Sequence, residues 1–433
     1  MQNSAVPILG RTVRIVGPVE NVDTNDTPHP RARRGELGKA LLNWRNNRSS
    51  RDPLLRVITN NQGEDMRHTF SSMLEKLPKG TVRKAPIAVD DPDAMSDHIK
   101  QVARFFGADL VGIGKSHPAY FYAGGQVLGE ETVDDKSMNN AEELARRYPY
   151  LIAVPVAMDF DLIQAHRHAL GDIAYGIADQ KIALVLDSLE RYIHELGYQA
   201  VQGAIVPQAG ALAAGLGELG RNGLLITKEY GPRVMLSSII STDLPLVADK
   251  PIDLGVEDFC KICRKCAVNC PTNSIPFGDK VVWNGVEKYK INWESCYKLR
   301  PYMAKHWGNC FTCITICPYT KPKTWWRDLA LGALRTTPLL LRPATVHLLK
   351  WIDDRVWGTV ANRRVRWLGY DSGVKPGETE CTISGCTASH GQSDTPPDEA
   401  VAVKVELTKK RDNSKIGYYA PLKENTNRFV KRG

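Results

Sequence analysis

Eight of the ten cysteines in this 433-residue chain fall between Cys260 and Cys317. No other feature constrains the fold as tightly. The first run is Cys260-x2-Cys263-x2-Cys266-x3-Cys270, closed by Pro271. The second is Cys296, then Cys310-x2-Cys313-x3-Cys317, closed by Pro318. In such a run three thiolates wrap one cuboidal iron–sulfur cluster in a tight loop. The fourth points away to a second cluster, and the proline turns the chain out.

Two runs therefore predict two [4Fe–4S] clusters with crossed ligands. Cluster one takes Cys260, Cys263, Cys266 and Cys317. Cluster two takes Cys270, Cys296, Cys310 and Cys313. Two structural zinc sites are the alternative, but zinc sites rarely use an x2-x2-x3-Pro spacing. Cys381 and Cys386 are left over and read as free surface thiols. Clustered cysteines in a chain without an export signal point to metal rather than disulfides.

The composition, 42% hydrophobic and 24% charged, excludes a disordered, collagen-like or disulfide-scaffold protein. A net charge of +9 is modest for this length. It suits an acidic electron donor or an anionic cofactor as well as nucleic acid. Arg33-Arg34 is followed by Gly35-Glu-Leu-Gly-Lys39 rather than an apolar stretch, which argues against a twin-arginine signal. No run of 18 apolar residues occurs, so no membrane span is expected, and the expected location is cytoplasmic.

Residues 1–94 are rich in Pro, Arg, Asn and Asp and read as a wrapping extension. From residue 95 the pattern turns α/β. A helix is expected over 97–106, and strands over 108–114, 150–158, 224–227 and 234–240. The clearest helix runs from Asp179 to Leu196, with Ile182, Val185, Leu186, Leu189 and Ile193 on one stripe and Gly197 as its stop. Residues 251–325 carry the cysteines. Residues 326–433 form a C-terminal extension with tryptophans, a polar loop and a basic tail. The tryptophans after residue 324 read as packing and shielding for the clusters.

Gly215-Leu-Gly217-Glu-Leu-Gly220 matches the dinucleotide fingerprint G-x-G-x-x-G. That fingerprint needs a strand before it and a helix after it, and here the order looks reversed. The glycines still demand a close backbone approach, either to a cofactor or to another element.

The segment from Gly215 through Arg221-Asn222 and Gly231-Pro-Arg-Val234 leads by Pro251-Ile-Asp-Leu into Cys260. This order of motifs, over residues 95–325, resembles the reductive dehalogenase family, to which epoxyqueuosine reductases are related. The resemblance implies an α/β (α+β) fold: a nitroreductase-like corrinoid-binding domain over 95–250, then a bacterial ferredoxin-like 2×[4Fe–4S] domain over 251–325. It implies base-off cobalamin near Gly215, Gly217, Gly220, Arg221 and Asn222. It also implies an external electron donor (a ferredoxin, flavodoxin or reductase) and a small organohalide substrate dehalogenated by cob(I)alamin.

Dehalogenases place a tyrosine proton donor near the start of the helix that ends in Leu-Gly-Tyr. Counting back from Leu196-Gly197-Tyr198, that position is Asp179, and epoxyqueuosine reductases carry aspartate in the corresponding role. Tyr175 stands one turn earlier. The arginine that assists the tyrosine corresponds to Met235, with Arg233 two residues before it.

Asp179 and Tyr175 continue the helix's apolar stripe. A carboxyl turned into an apolar pocket holds its proton more tightly and can serve as an acid. The alternative for Asp179 is a helix N-cap. Tyr120-Phe121-Tyr122 reads as a wall of an aromatic pocket or as core. His166 and His168 read as surface residues.

The function expected is corrinoid-dependent reductive dehalogenation, with Asp179 or Tyr175 donating the proton. Alternatives are an epoxyqueuosine-type tRNA epoxide reductase and a non-catalytic iron–sulfur electron carrier. The oligomeric state is left open.

Overall fold

The computed structural model describes residues 9–46, 81–123, 140–164, 166, 169–299 and 309–359, with four short strand segments further on. Cys381, Cys386 and His168 lie outside the described residues.

The chain opens with β1 (Arg14–Ile15), α1 (Pro28–Arg33) and α2 (Lys39–Asn46). The α/β unit begins at α3 (Pro92–Phe105). The Asp91 carboxylate caps it by accepting from the N–H groups of Asp93 and Ala94 at 2.9 and 3.1 Å, and Pro92 fills its first position. Then follow β2 (Gly112–Lys115), α4 (Ala141–Arg147), β3 (Tyr150–Ala153), β4 (Val156–Ala157), α5 (Phe160–Gln164) and α6 (Ala169–Glu195). The unit closes with β5 (Ala200–Gln202), α7 (Pro207–Ala213), β6 (Gly217–Leu219), β7 (Leu225–Thr227), β8 (Val234–Met235) and β9 (Ile240–Thr242).

Four strands form one antiparallel sheet in the order β2-β3-β9-β5. Side chains alternate across it. Ile152 and Ile240 face the core that α6 fills with Ile182, Val185, Leu189 and Ile193. Leu151, Ala153 and Val201 face a second core built on α7 with Tyr120, Phe121 and Tyr148.

Two expected strands split. The run 150–158 breaks at Val154-Pro155 into β3 and β4, because proline lacks the N–H a ladder needs. The run 234–240 divides between β8, which pairs with β4, and β9 in the main sheet. The clearest helix starts ten residues earlier than expected, at Ala169. Asp179 is therefore inside the helix and does not cap it. His166 is buried, contrary to expectation, with Nδ1 3.2 Å from the Gln164 carbonyl oxygen.

The cysteine segment contributes α8 (Val256–Cys263), α9 (Lys265–Val268), the hairpin β10 (Val281–Trp283) and β11 (Val286–Lys288), α10 (Trp293–Lys298) and α11 (Thr312–Thr315). It is followed by α12 (Trp325–Thr336) and α13 (Arg342–Trp357). Leu334 and Val346 of these two helices share a core with Val256, Phe259 and Cys317. The hairpin α12–α13 thus packs onto the cysteine segment. The N-terminal segment also reaches it. β1 adds to β11 (Arg14 opposite Glu287), and Ala32, Leu37 and Leu41 bury Tyr297.

Asp253 and Asp258 tie the three parts together. Arg11 reaches Asp258 at 2.7 Å, and Arg342 reaches Asp253 at 2.9 Å and Asp258 at 3.2 Å. Among the described residues, no helix is long and apolar enough to cross a membrane.

Candidate electron-transfer and active site

The thiols fall into two groups. Burial pushes the Cys266 thiol well up from its ordinary value, and the charges next in strength are those of Cys260, Cys263 and Cys317. Burial also dominates at Cys313, followed by Cys310, Cys296 and Cys270. The Cys260 thiol is pushed up to about 12 by burial. Several thiolates in apolar surroundings repel one another and lack water, so they need a metal to carry their charge.

Cys260, Cys263, Cys266 and Cys317 line one pocket, together with Arg221, Asn222, Phe259 and Tyr319. Among the described residues, no three His, Cys, Asp or Glu side chains converge as a single metal ion requires. Thiols ringing a space suit a cubane, in which each thiolate meets a different iron.

Backbone and hydroxyl groups face the sulfurs. The Arg221 N–H lies 3.5 Å from Cys260 Sγ, and the Ser274 N–H lies 3.3 Å from Cys270 Sγ. Such groups stabilise negative sulfur. Lys265, between Cys263 and Cys266, is buried and pairs with Asp353 and Asp354 of α13.

The glycine-rich segment sits against both cysteine runs. A side chain at Gly217 would fall 2.2 Å from the Ile226 carbonyl oxygen. At Gly215, whose φ is +68°, it would fall 2.4 Å from that of Lys250, and at Gly220 2.6 Å from Ile226 Cδ1. The close approach is therefore to this chain's own β7 and to residue 250. α7 precedes the glycines, β6 runs through them and β7 follows, so the order is the reverse of a dinucleotide site.

Arg221 is almost fully buried. Its Nε donates to the Cys260 carbonyl at 2.9 Å, its Nη1 to those of Pro276 and Gly278 at 2.8 and 2.7 Å, and its guanidinium lies 4.1 Å from the Tyr289 ring centre. Asn222 donates to the Cys313 carbonyl at 3.2 Å. Of the five residues expected to hold a corrinoid, Arg221 and Asn222 thus join the α/β unit to the cysteine segment, and the three glycines lie against β7 and residue 250.

The α/β unit also meets the second cysteine run through α6. Asp172 accepts from the Asn309 N–H at 3.0 Å and from its side-chain amide at 2.7 Å. The Tyr175 ring stacks on Phe311, beside Cys310. Phe311 and Ile314 belong to the α6 core, and Cys313 packs against it. Asp179 lies one turn further along α6, half-buried like Tyr175.

Comparisons with known proteins agree on one relationship. A family described as 4Fe-4S dicluster domain matches residues 259–321. The tetrachloroethene reductive dehalogenase of Sulfurospirillum multivorans is 28% identical over 279 residues, 58% of this chain and 55% of that protein. A structure titled as a reductive dehalogenase suggesting a mechanism for B12-dependent dehalogenation superposes with a TM-score of 0.65 at 26% identity. The match covers 80% of this chain and 48% of that one. The chain is similar in sequence and in fold to reductive dehalogenases. It spans about half the length of the curated relatives it matches. A shorter match, 29% over 169 residues, links it to the epoxyqueuosine reductase of Lactococcus garvieae, covering 36% of this chain and 44% of that protein.

As a dehalogenase relative, the chain departs from expectation around the site. Met235, at the position of the family's assisting arginine, is buried in the α6 core. Arg233 turns instead to the Met158 carbonyl and the rings of Phe160 and Tyr230. Tyr120 and Phe121 are buried on the opposite face of the sheet from α6, in the second core. They pack rather than wall a pocket beside Asp179. Tyr122 stays half-buried, and its N–H donates to the Ala204 carbonyl at 3.0 Å.

Sequence reasoning missed the Arg221 bolt. Its only sequence signal is one basic residue among glycines. The hydroxyls around Cys270 were also missed. Thr272 lies 3.5 Å from its sulfur, and their signal is the Thr-x-Ser that follows Cys-Pro.

Proposed function

We propose that the chain is a reductive dehalogenase. On this reading residues 95–250 form a nitroreductase-like corrinoid-binding domain and residues 251–325 a ferredoxin-like domain with two [4Fe–4S] clusters. Residues 1–94 and 326–433 wrap the two. The crossed assignment of Cys317 to the first cluster and Cys270 to the second stands as read from the spacing.

The observation that carries the reading is the contact between α6 and the second cysteine run. It sets the candidate acids Asp179 and Tyr175 on the helix that touches Phe311, next to Cys310. Electrons arriving through the cysteine segment and a proton held on α6 then reach the same part of the molecule. Cleavage of a carbon–halogen bond needs both: R–X + 2 e⁻ + H⁺ → R–H + X⁻.

A corrinoid, when bound, supplies a strongly reducing cobalt for this cleavage. The residues of this chain do the rest. The eight cysteines hold the clusters. Arg221 and Asn222 fix the cysteine segment against the α/β unit. Asp179, through its carboxyl oxygen, or Tyr175, through its hydroxyl, delivers the proton. The electrons come from an external ferredoxin, flavodoxin or reductase in the cytoplasm, and the substrate is a small organohalide.

Aspartate at position 179 and the match to an epoxyqueuosine reductase favour a second reading, a tRNA epoxide reductase. One experiment decides. The protein is reconstituted anaerobically with iron, sulfide and cobalamin, and cobalt and iron per chain are measured. Reduced viologen is then supplied with a halogenated phenol or alkene, and separately with epoxyqueuosine tRNA. Halide release supports the first reading and tRNA turnover the second. Absence of bound cobalt rejects both.

A further inference from the structure

Arg233 is a buried cation that forms no salt bridge among the described residues. It is 8% exposed, and its guanidinium donates only from Nη1, to the Met158 carbonyl. Nε is buried and meets no partner among the described residues, and Nη2 makes no hydrogen bond among them. Nε and Nη2 form the edge of a guanidinium that grips a carboxylate or phosphate with two parallel bonds.

The carboxylates whose charges act on Arg233 make hydrogen bonds to other groups. Asp109 Oδ2 accepts from the Ala157 N–H at 2.8 Å and from Lys181 at 3.0 Å. Asp159 Oδ1 caps α5 through the Leu162 N–H at 2.8 Å. Neither forms a salt bridge with Arg233 among the described residues.

A second buried arginine adds to the positive charge. Arg327, 4% exposed, donates from Nη2 to the Lys228 carbonyl, on the loop that ends in Arg233. Its Nε is also buried without a partner among the described residues. Its closest carboxylate, Asp328, is half-exposed and 3.7 Å from Nη1. Desolvation lowers both guanidinium pKa values; at Arg233 the charges of Tyr230 and Asp159 oppose it, and that of Arg327 adds to it. Rings at 5.6 Å (Phe160) and 5.0 Å (Tyr230) offset part of the cost for Arg233. A buried charge left so poorly matched calls for a counter-ion from outside the chain.

We propose that Arg233 binds an oxyanion, the carboxylate or phosphate of a bound ligand, on its Nε–Nη2 edge, with Arg327 adding positive charge beside it. Two sources share this chemistry, a small carboxylate or phosphate ligand and the phosphodiester tail of a complete corrinoid.

The test compares wild-type protein reconstituted with iron and sulfide but without cobalamin with Arg233→Gln, Arg233→Lys and, as a control, Arg104→Gln on the exposed side of α3. Thermal midpoints are read in sodium phosphate, sodium benzoate and sodium chloride at equal ionic strength. Phosphate or benzoate should raise the midpoint above chloride in the wild type and in Arg104→Gln, and not in Arg233→Gln. Arg233→Lys, with charge but no fork, should bind about tenfold more weakly. No rise over chloride in the wild type overturns the proposal, even if the glutamine variant fails to fold. So does an equal rise in Arg233→Gln.

Binding of cobalamin and of cobinamide, which lacks the phosphodiester tail, then separates the sources. A preference for cobalamin that Arg233→Gln abolishes assigns the tail phosphate. An equal preference in both proteins assigns the small ligand. Only this second arm rests on the dehalogenase reading.

Discussion

The rings of Tyr175 and Phe311 stack with centroids 5.8 Å apart and planes 26° from parallel. One ring belongs to the long helix α6 and the other lies between Cys310 and Cys313. Through this pair the half of the molecule that holds candidate proton donors meets the half that holds candidate electron carriers. An offset stack contributes about 0.5–1.5 kcal/mol beyond the area it buries.

Phe311→Leu should keep most of the buried volume and lose the stack, costing about 1 kcal/mol. Phe311→Ala should cost about 3–5 kcal/mol through the cavity left beside α6. Urea unfolding of the reconstituted protein measures both. Equal, negligible losses would mean that the contact does not join the two halves.

Asp179→Asn and Tyr175→Phe separate the two candidate acids. Both changes nearly conserve shape, and Tyr175→Phe leaves the stack in place. Removing the true donor should slow halide release by about 10²–10⁴-fold, the usual contribution of a positioned acid, with cluster content unchanged. If neither variant slows turnover, the proton comes from elsewhere.

Arg221→Gln should loosen the cysteine segment from the α/β unit. The side chain makes three hydrogen bonds to backbone carbonyls and stacks on Tyr289. Hydrogen bonds from a charged donor contribute about 1.5–3 kcal/mol each, and the freed carbonyls add a desolvation cost. A loss of at least about 3 kcal/mol is expected. The electron paramagnetic resonance signal of the cluster bound through Cys260 should change with it. An unaltered signal and midpoint would show that Arg221 does not hold this junction.

Glu218 should make stability fall as pH rises through neutrality. Its carboxyl is fully buried, and burial pushes its pKa from 4.5 up to about 7 despite bonds from the Leu254 and Val256 N–H groups. The native state keeps this proton over a range where the unfolded chain has lost it. The stability it contributes is complete below the unfolded value and is lost as pH climbs through the folded one. Glu218→Gln still accepts from both N–H groups and cannot ionise. Between pH 5 and pH 8 the variant should gain on the wild type by on the order of 3 kcal/mol. Parallel stability curves for the two proteins would contradict this.

Much of this architecture could be read in the sequence because its causes are local. The x2-x2-x3-Pro spacing already carries the geometry of a cluster loop. The stripe from Ile182 to Ile193 already defines a buried helix face. Residues whose roles depend on distant partners could not be read this way. The place of Arg221 in the junction could not be read because its partners, Pro276 and Gly278, are more than fifty residues away. Tyr120 and Phe121 looked like a pocket wall because nothing local says which face of the sheet they cover. Asp179 looked like a possible cap because the helix continues back to Ala169 through glycines at 171 and 176, which interrupt its apolar stripe.

The central claim is that electrons entering the cysteine segment leave as halide. It is tested most directly by counting both. Anaerobic protein reconstituted with iron, sulfide and cobalamin is given a known amount of reduced viologen and a halogenated phenol or alkene. The account predicts one halide released for every two electrons consumed, and none when cobalamin is left out or Cys310 is replaced by Ala. Viologen oxidation without halide, or halide release that needs no cobalamin, would contradict it.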